Sequence, residues 1–155
     1  KSAWNLLDAD LLDWYSRVAE PMAFALKLQE MREMIEPYAA SLAASANTDD
    51  TLRSLASAHA SMVAARNVDE WVRADLQLHL SVLTACSNEL LIPLGALIER
   101  TLEAQLRLNA KRADVFNASL AEHTAVFEAI RARDAAAARS AMASLLGVTR
   151  GRIES

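Results

Sequence analysis

Apolar residues recur along most of this chain at the three-and-four spacing of a helix that buries one face. The series Ala25, Leu28, Ile35, Ala39, Leu42 follows it, as do Phe116, Leu120, Phe127, Ile130 and the run Ala138, Met142, Leu145. The stretch from Trp71 to Leu83 is apolar around most of its circumference, the pattern of a central, mostly buried helix. Val, Ile, Thr, Tyr and Phe are too scattered to predict strands.

Caps and breakers divide the pattern into elements. Asp8 or Asp10 caps a short helix through about Val18, and Pro21 opens a long helix to about Ala46. Pro37 lies inside that long helix and predicts a kink near Met34 to Glu36. Asn47-Thr48-Asp49-Asp50 turns into a third helix ending near Arg66, and Asn67 to Asp69 caps a fourth ending near Cys86. Ser87-Asn88 starts a fifth helix to about Leu108, with Pro93 in its opening turns. After a break around Lys111 to Asp114, a sixth helix ends near Arg133. Asp134 caps a last helix from Ala135 to about Leu146, with Gly147 as its C-cap or kink. The sum is an all-α protein: an antiparallel bundle of six or seven helices over residues 21–155, preceded by a connecting segment and short helix over 1–20.

Composition sharpens this. At 155 residues and 53% hydrophobic, with only three Gly and three Pro, the chain makes one domain with a substantial core. The net charge is −4, and Lys occurs only at positions 1, 27 and 111, so there is no basic face for phosphates. This piece by itself is not expected to bind DNA. No run of about 18 uncharged apolar residues predicts a membrane span. The lone Cys86 allows no internal disulfide and suits a reducing cytoplasm. Lys1-Ser2-Ala3-Trp4 has neither an initiator Met nor a signal-peptide pattern, as expected of a fragment of a longer chain.

Polar residues on apolar stripes carry the chemistry, because a buried charge without a partner is costly. Asp75 and His79 lie one turn apart on one helix face. A carboxylate and an imidazole at that spacing can clasp a divalent metal, or simply hydrogen-bond to each other. His123 replaces an apolar residue between Leu120 and Phe127 and points inward, as a ligand or as a satisfied core histidine. Arg32 interrupts its stripe in the same way between Leu28 and Ile35. A guanidinium there needs an anion, and either an acidic ligand or Glu36, one turn on, supplies it. His59 reads as a surface residue, Cys86 lies too far along the helix from Asp75 to share a metal, and the three Trp residues read as packing anchors. The sequence holds no HExxH motif, phosphate-cradling Gly loop or nucleophile with a nearby base. The expectation is therefore not an enzyme, with a metal-dependent hydrolase as a minor alternative.

Three segments together carry a family resemblance. They are Met31-Arg32-Glu33-Met34-Ile35-Glu36 with its Leu42-Ala43-Ala44 ending, Asp75-Leu76-Gln77-Leu78-His79 with downstream Asn88-Glu89-Leu90-Leu91, and Glu122-His123 through Ile130 with Arg133-Asp134 and Ala141-Met142. The chain resembles the effector-binding C-terminal (FCD) domain of the FadR branch of the GntR family of bacterial transcription regulators. The resemblance implies a homodimeric helical bundle that binds a small carboxylate effector and reaches DNA only through a winged helix-turn-helix domain outside this chain. It implies a divalent metal, zinc or nickel, on Asp75, His79 and His123, and contact of Arg32 and Asn88 with the effector. The family's fourth ligand, a histidine, would fall where this chain has Leu145. Trp4 to Trp14 is similar to the joining segment of galactonate-type repressors, which favours a sugar acid as effector. The alternative is a metal-free sensor of a more apolar ligand, with Asp75 and His79 paired to each other.

Overall fold

The computed structural model describes residues 20–100, 102 and 119–154, and every described element is helical. The predicted short helix ending near Val18, the end of the fifth helix and the break near Lys111 fall on residues outside the described ones.

Helix α1 runs Pro21–Ala46. Its first free amides are satisfied by Glu20, whose carboxylate accepts from the Met22 and Ala23 N–H groups at 3.1 and 2.6 Å. The helix continues through Pro37, which is buried. Asn47 closes it, its amide donating to the Ala43 and Ala44 carbonyls at 2.8 and 3.2 Å. Helix α2, Asp49–Ala64, starts on a capping box in which Thr48 and Thr51 exchange hydrogen bonds. Helix α3, Val68–Ala85, starts where the Asn67 side chain accepts from the Glu70 amide. Helices α4, Leu120–Arg131, and α5, Ala135–Glu154, complete the described bundle.

Two expected boundaries are corrected. The fifth helix opens as a 3₁₀ segment, Glu89–Leu94, before α-helical residues 95–100. Pro93 lies within it, and a residue with no N–H that also disfavours α geometry before it resists a regular α-helical start. Gly147 is neither cap nor stop, for α5 passes through it to Glu154. A C-cap glycine is selected where φ must be positive, and no glycine here has positive φ. That backbone falls instead to Ser87 and Arg133, at φ 55° and 58°.

Most of the core forms one cluster, with a smaller one of Phe24, Leu28 and Leu97 beside it. Leu55 and Met62 of α2, Leu78, Val82 and Leu83 of α3, Val126 and Ile130 of α4, and Met142, Leu145 and Leu146 of α5 meet against the Ala39, Ala40, Ala43 and Ala44 face of α1. Alanine on that face lets α1 lie close to its neighbours. Helix α5 starts beside the end of α1, where the Arg133 guanidinium donates to the Asn47 carbonyl at 3.0 Å. It then returns along α1, tied by Gln29 to the Leu146 carbonyl at 2.8 Å and by Arg150 to Glu33 at 2.8 Å. The result places α1, α3 and α4 around one buried polar cluster.

Candidate metal centre

Asp75 and His79 project from one face of α3, and His123 reaches them from α4. The Asp75 Oδ1 atom lies 2.8 Å from His123 Nε2 and 3.2 Å from His79 Nε2. One ligand atom from each of the three falls within 4.8 Å of the others. The two rings meet edge to face at 5.7 Å between centroids, and Trp71 stands edge-on to His123 at 6.0 Å. Trp71 is therefore a wall of the site as well as a packing anchor.

What fixes the rings is at their far nitrogens. The Ser119 carbonyl accepts from His123 Nδ1 at 2.6 Å. Glu36 Oε2 accepts from His79 Nδ1 at 2.5 Å. With each Nδ1 carrying its proton, each neutral ring turns an Nε2 lone pair toward the same carboxylate oxygen. Lone pairs facing a carboxylate repel unless a cation, either a proton or a metal ion, lies between them. Two imidazoles oriented through acceptors at Nδ1, sharing one carboxylate at Nε2, form the donor set of a divalent metal site with its outer shell in place. The residues fit the group. Leu145 is 1% exposed and packs in the core, so it offers no fourth donor.

Arg32 joins the cluster from α1. It is 2% exposed, its Nε donates to Glu36 Oε1 at 2.5 Å, and its Nη2 lies 3.0 and 3.3 Å from the two nitrogens of His79. Glu36 thus uses one oxygen for Arg32 and the other for His79. Burial works to raise its carboxyl, but Arg32 and then His79 outweigh this and hold it at about 2. For Asp75 burial again opposes ionisation, and His123 with His79 holds the carboxyl far below the usual range. Burial would lower His79, yet Glu36 and Asp75 carry it up to about 9 against the Arg32 charge. The cluster favours ionised carboxylates and a cationic centre.

The remaining expected residues lie elsewhere. Asn88 is exposed, and its side-chain oxygen caps the 3₁₀ segment by accepting from the Leu90 amide at 3.2 Å. No described contact joins it to the cluster. His59, read as a surface residue, is only partly exposed: it stacks on Phe127 at 4.7 Å and hydrogen-bonds Thr124 at 2.9 Å. Cys86 is buried against the Leu83 carbonyl. Among the described residues no helix is long and apolar enough to cross a membrane.

The FCD domain family matches residues 27–147, a span that includes all five residues of the cluster. A GntR protein of Streptococcus agalactiae is similar in fold, with a TM-score of 0.76 and 23% sequence identity over 93% of this chain and 65% of that one. The present chain thus spans just under two thirds of that protein's length. No curated protein matches the chain in sequence.

Proposed function

The chain belongs to the FCD domain family, and we propose that it is the ligand-sensing domain of a GntR-type transcription regulator, holding a small carboxylic acid with the help of a divalent metal. One observation carries this reading: two oriented imidazoles converge on one carboxylate oxygen directly beside a buried arginine. An ion held by Asp75, His79 and His123 supplies a positive centre that an acid oxygen can approach, with zinc or nickel suited to this nitrogen-rich set. With Leu145 in the fourth position, water or effector oxygens complete the shell.

The protein groups do the rest. Glu36 and the Ser119 carbonyl keep both rings turned Nε2-inward, and Arg32 presents a planar donor fork suited to a carboxylate. To use that fork on a ligand, Arg32 exchanges its bond to Glu36 for one to the incoming acid. Binding alters DNA affinity, in the reading proposed here, because the acid prefers one of two arrangements of a homodimer whose DNA-binding domains lie outside this chain. The sugar-acid expectation rests on residues 4–14, outside the described ones, while the small-carboxylate reading is supported by the buried Arg32 beside the Asp75, His79 and His123 donor set.

A thermal-shift series against small acids, with zinc or nickel and then with chelator, tests this. Ligand at a hundred times its dissociation constant should stabilise the fold by about 2.7 kcal/mol, a rise of several degrees in Tm, and chelator should remove the rise. No shift with any acid, in either metal, overturns the reading. The second reading is a metal-free sensor, favoured by Leu145 and by the closed Arg32–Glu36 pair. It gives acid-dependent shifts that chelator leaves intact. Metal-dependent hydrolysis, the least favoured alternative, would show as turnover of an ester or amide.

A further inference from the structure

We propose that Arg32 is a placeholder at the metal site. Its Nη2 group holds the His79 Nε2 lone pair until a divalent ion takes it, and the displaced arginine then turns to an anion. This rests on the metal-assisted acid-sensor reading above and adds the order of events within that site.

The hydrogen bonds around His79 identify the contested atom. The form of the ring that binds a metal is the neutral one. Glu36 Oε2 accepts from Nδ1 at 2.5 Å, which puts the proton of that form on Nδ1 and its ring lone pair on Nε2. Arg32 Nη2 lies 3.0 Å from Nε2 and 3.3 Å from Nδ1. A guanidinium can only donate, and Nδ1 has no lone pair left to accept, so the Arg32 bond goes to Nε2. A metal binds imidazole through the same lone pair, and one pair of electrons serves one partner.

Charge makes the exclusion stronger. Arg32 is 2% exposed, and Asp75 Oδ1 lies 3.2 Å from the contested nitrogen. An ion shared between that oxygen and Nε2 brings two positive charges against a third in a buried setting, where like charges repel strongly. The guanidinium is the group that can yield. Its Nε is anchored on Glu36 Oε1 at 2.5 Å, a bond between opposite charges, so Nη2 can leave His79 while Nε stays in place. A buried N–H without an acceptor is costly, so the released Nη2 calls for an anion beside the ion. The ion therefore comes first, and Arg32 becomes a ligand-seeking group only once the ion is bound.

NMR of the whole chain, labelled with ¹⁵N and titrated with zinc alone, tests this. The Arg32 side-chain signals are assigned through its own backbone. Zinc should move the Arg32 Nη signals in step with the His79 ring, while the Arg32 Nε signal changes little. Arg32→Lys keeps the cation and its pairing with Glu36 but loses the planar fork that spans Glu36 and His79. Zinc should bind this variant about tenfold tighter in a chelator competition, the order of one hydrogen bond to a charged group. Zinc saturation that leaves the Arg32 Nη signals unmoved overturns the proposal, as does an Arg32→Lys affinity no tighter than the parent's, and both leave the metal site standing. No zinc binding at all overturns the proposal and the metal reading together. With no acid added, none of these outcomes depends on whether the bundle senses one, which the thermal-shift series decides separately.

Discussion

Glu36 does two jobs with its two oxygens, and that makes it the most consequential residue outside the proposed ligand triad. One oxygen neutralises Arg32 and the other orients His79. Glu36→Gln keeps the shape and can still accept from His79, but it leaves the Arg32 guanidinium buried without a counter-charge. Breaking a buried pair from one side costs about 3–5 kcal/mol, so urea unfolding of the metal-free variant should show a loss of that order. Loss of a carboxylate behind a ligating histidine should also weaken zinc about 10- to 100-fold in a chelator competition. A variant within about 0.5 kcal/mol of the parent, the range of ordinary surface changes, would show that Arg32 finds its anion elsewhere. Arg32, Asp75, His79 and His123 were legible in the sequence, since each is a polar residue on an apolar stripe. Only half of Glu36 was legible. Its pairing with Arg32 follows from helical spacing, but its reach to His79, 43 residues on, depends on how α1 lies against α3. The Ser119 carbonyl behind His123 is a backbone atom, invisible to any argument from residue type. Asn88 carries a pattern that reads as a site, and in the structure its side-chain oxygen serves as a cap for the Leu90 amide.

At the scale of elements, boundaries marked by a side-chain cap were readable, as was the start at Pro21, while those at Pro93 and Gly147 were not. Asn67 and Thr48 announce α3 and α2 because their side chains satisfy amides that nothing else reaches. Pro93 and Gly147 are ambiguous from sequence, since proline tolerates a first turn as well as a 3₁₀ segment, and glycine is allowed anywhere at some cost. Gly147 lies exposed inside α5, and a Cβ built there meets nothing within 4 Å. Gly147→Ala should therefore stabilise the fold by about 0.5–1 kcal/mol, read as a rise in the urea midpoint with an unchanged slope. The gain comes from lower entropy in the unfolded chain and better helix propensity, with no new tertiary contact needed. A fall in stability would mean that this face of α5 is covered in solution. Gly95 is the opposite case, because a Cβ there would come within 2.4 Å of the Leu80 side chain.

For the whole molecule, the cluster links parts of the chain that are far apart in sequence. Arg32 and Glu36 come from α1, Asp75 and His79 from α3, and His123 from α4, and these same helices share the apolar core. Charged groups at such a junction are costly to bury, so the metal-free bundle holds its polar centre by a chain of hydrogen bonds rather than by packing alone. An ion bound there joins α3 to α4 directly and reaches α1 through Glu36. Local opening of any one helix would then break the metal site, and its free energy would rise with that of the others. Amide hydrogen exchange with and without zinc reads this directly. Added zinc should slow exchange together in the middle turns of α1, α3 and α4, with little change in α2, which contributes no residue to the cluster. Slowing confined to α3 would mean that the ion sits on Asp75 and His79 alone. In that case the site would be local to one helix, with no mechanical route from ligand to the rest of the bundle.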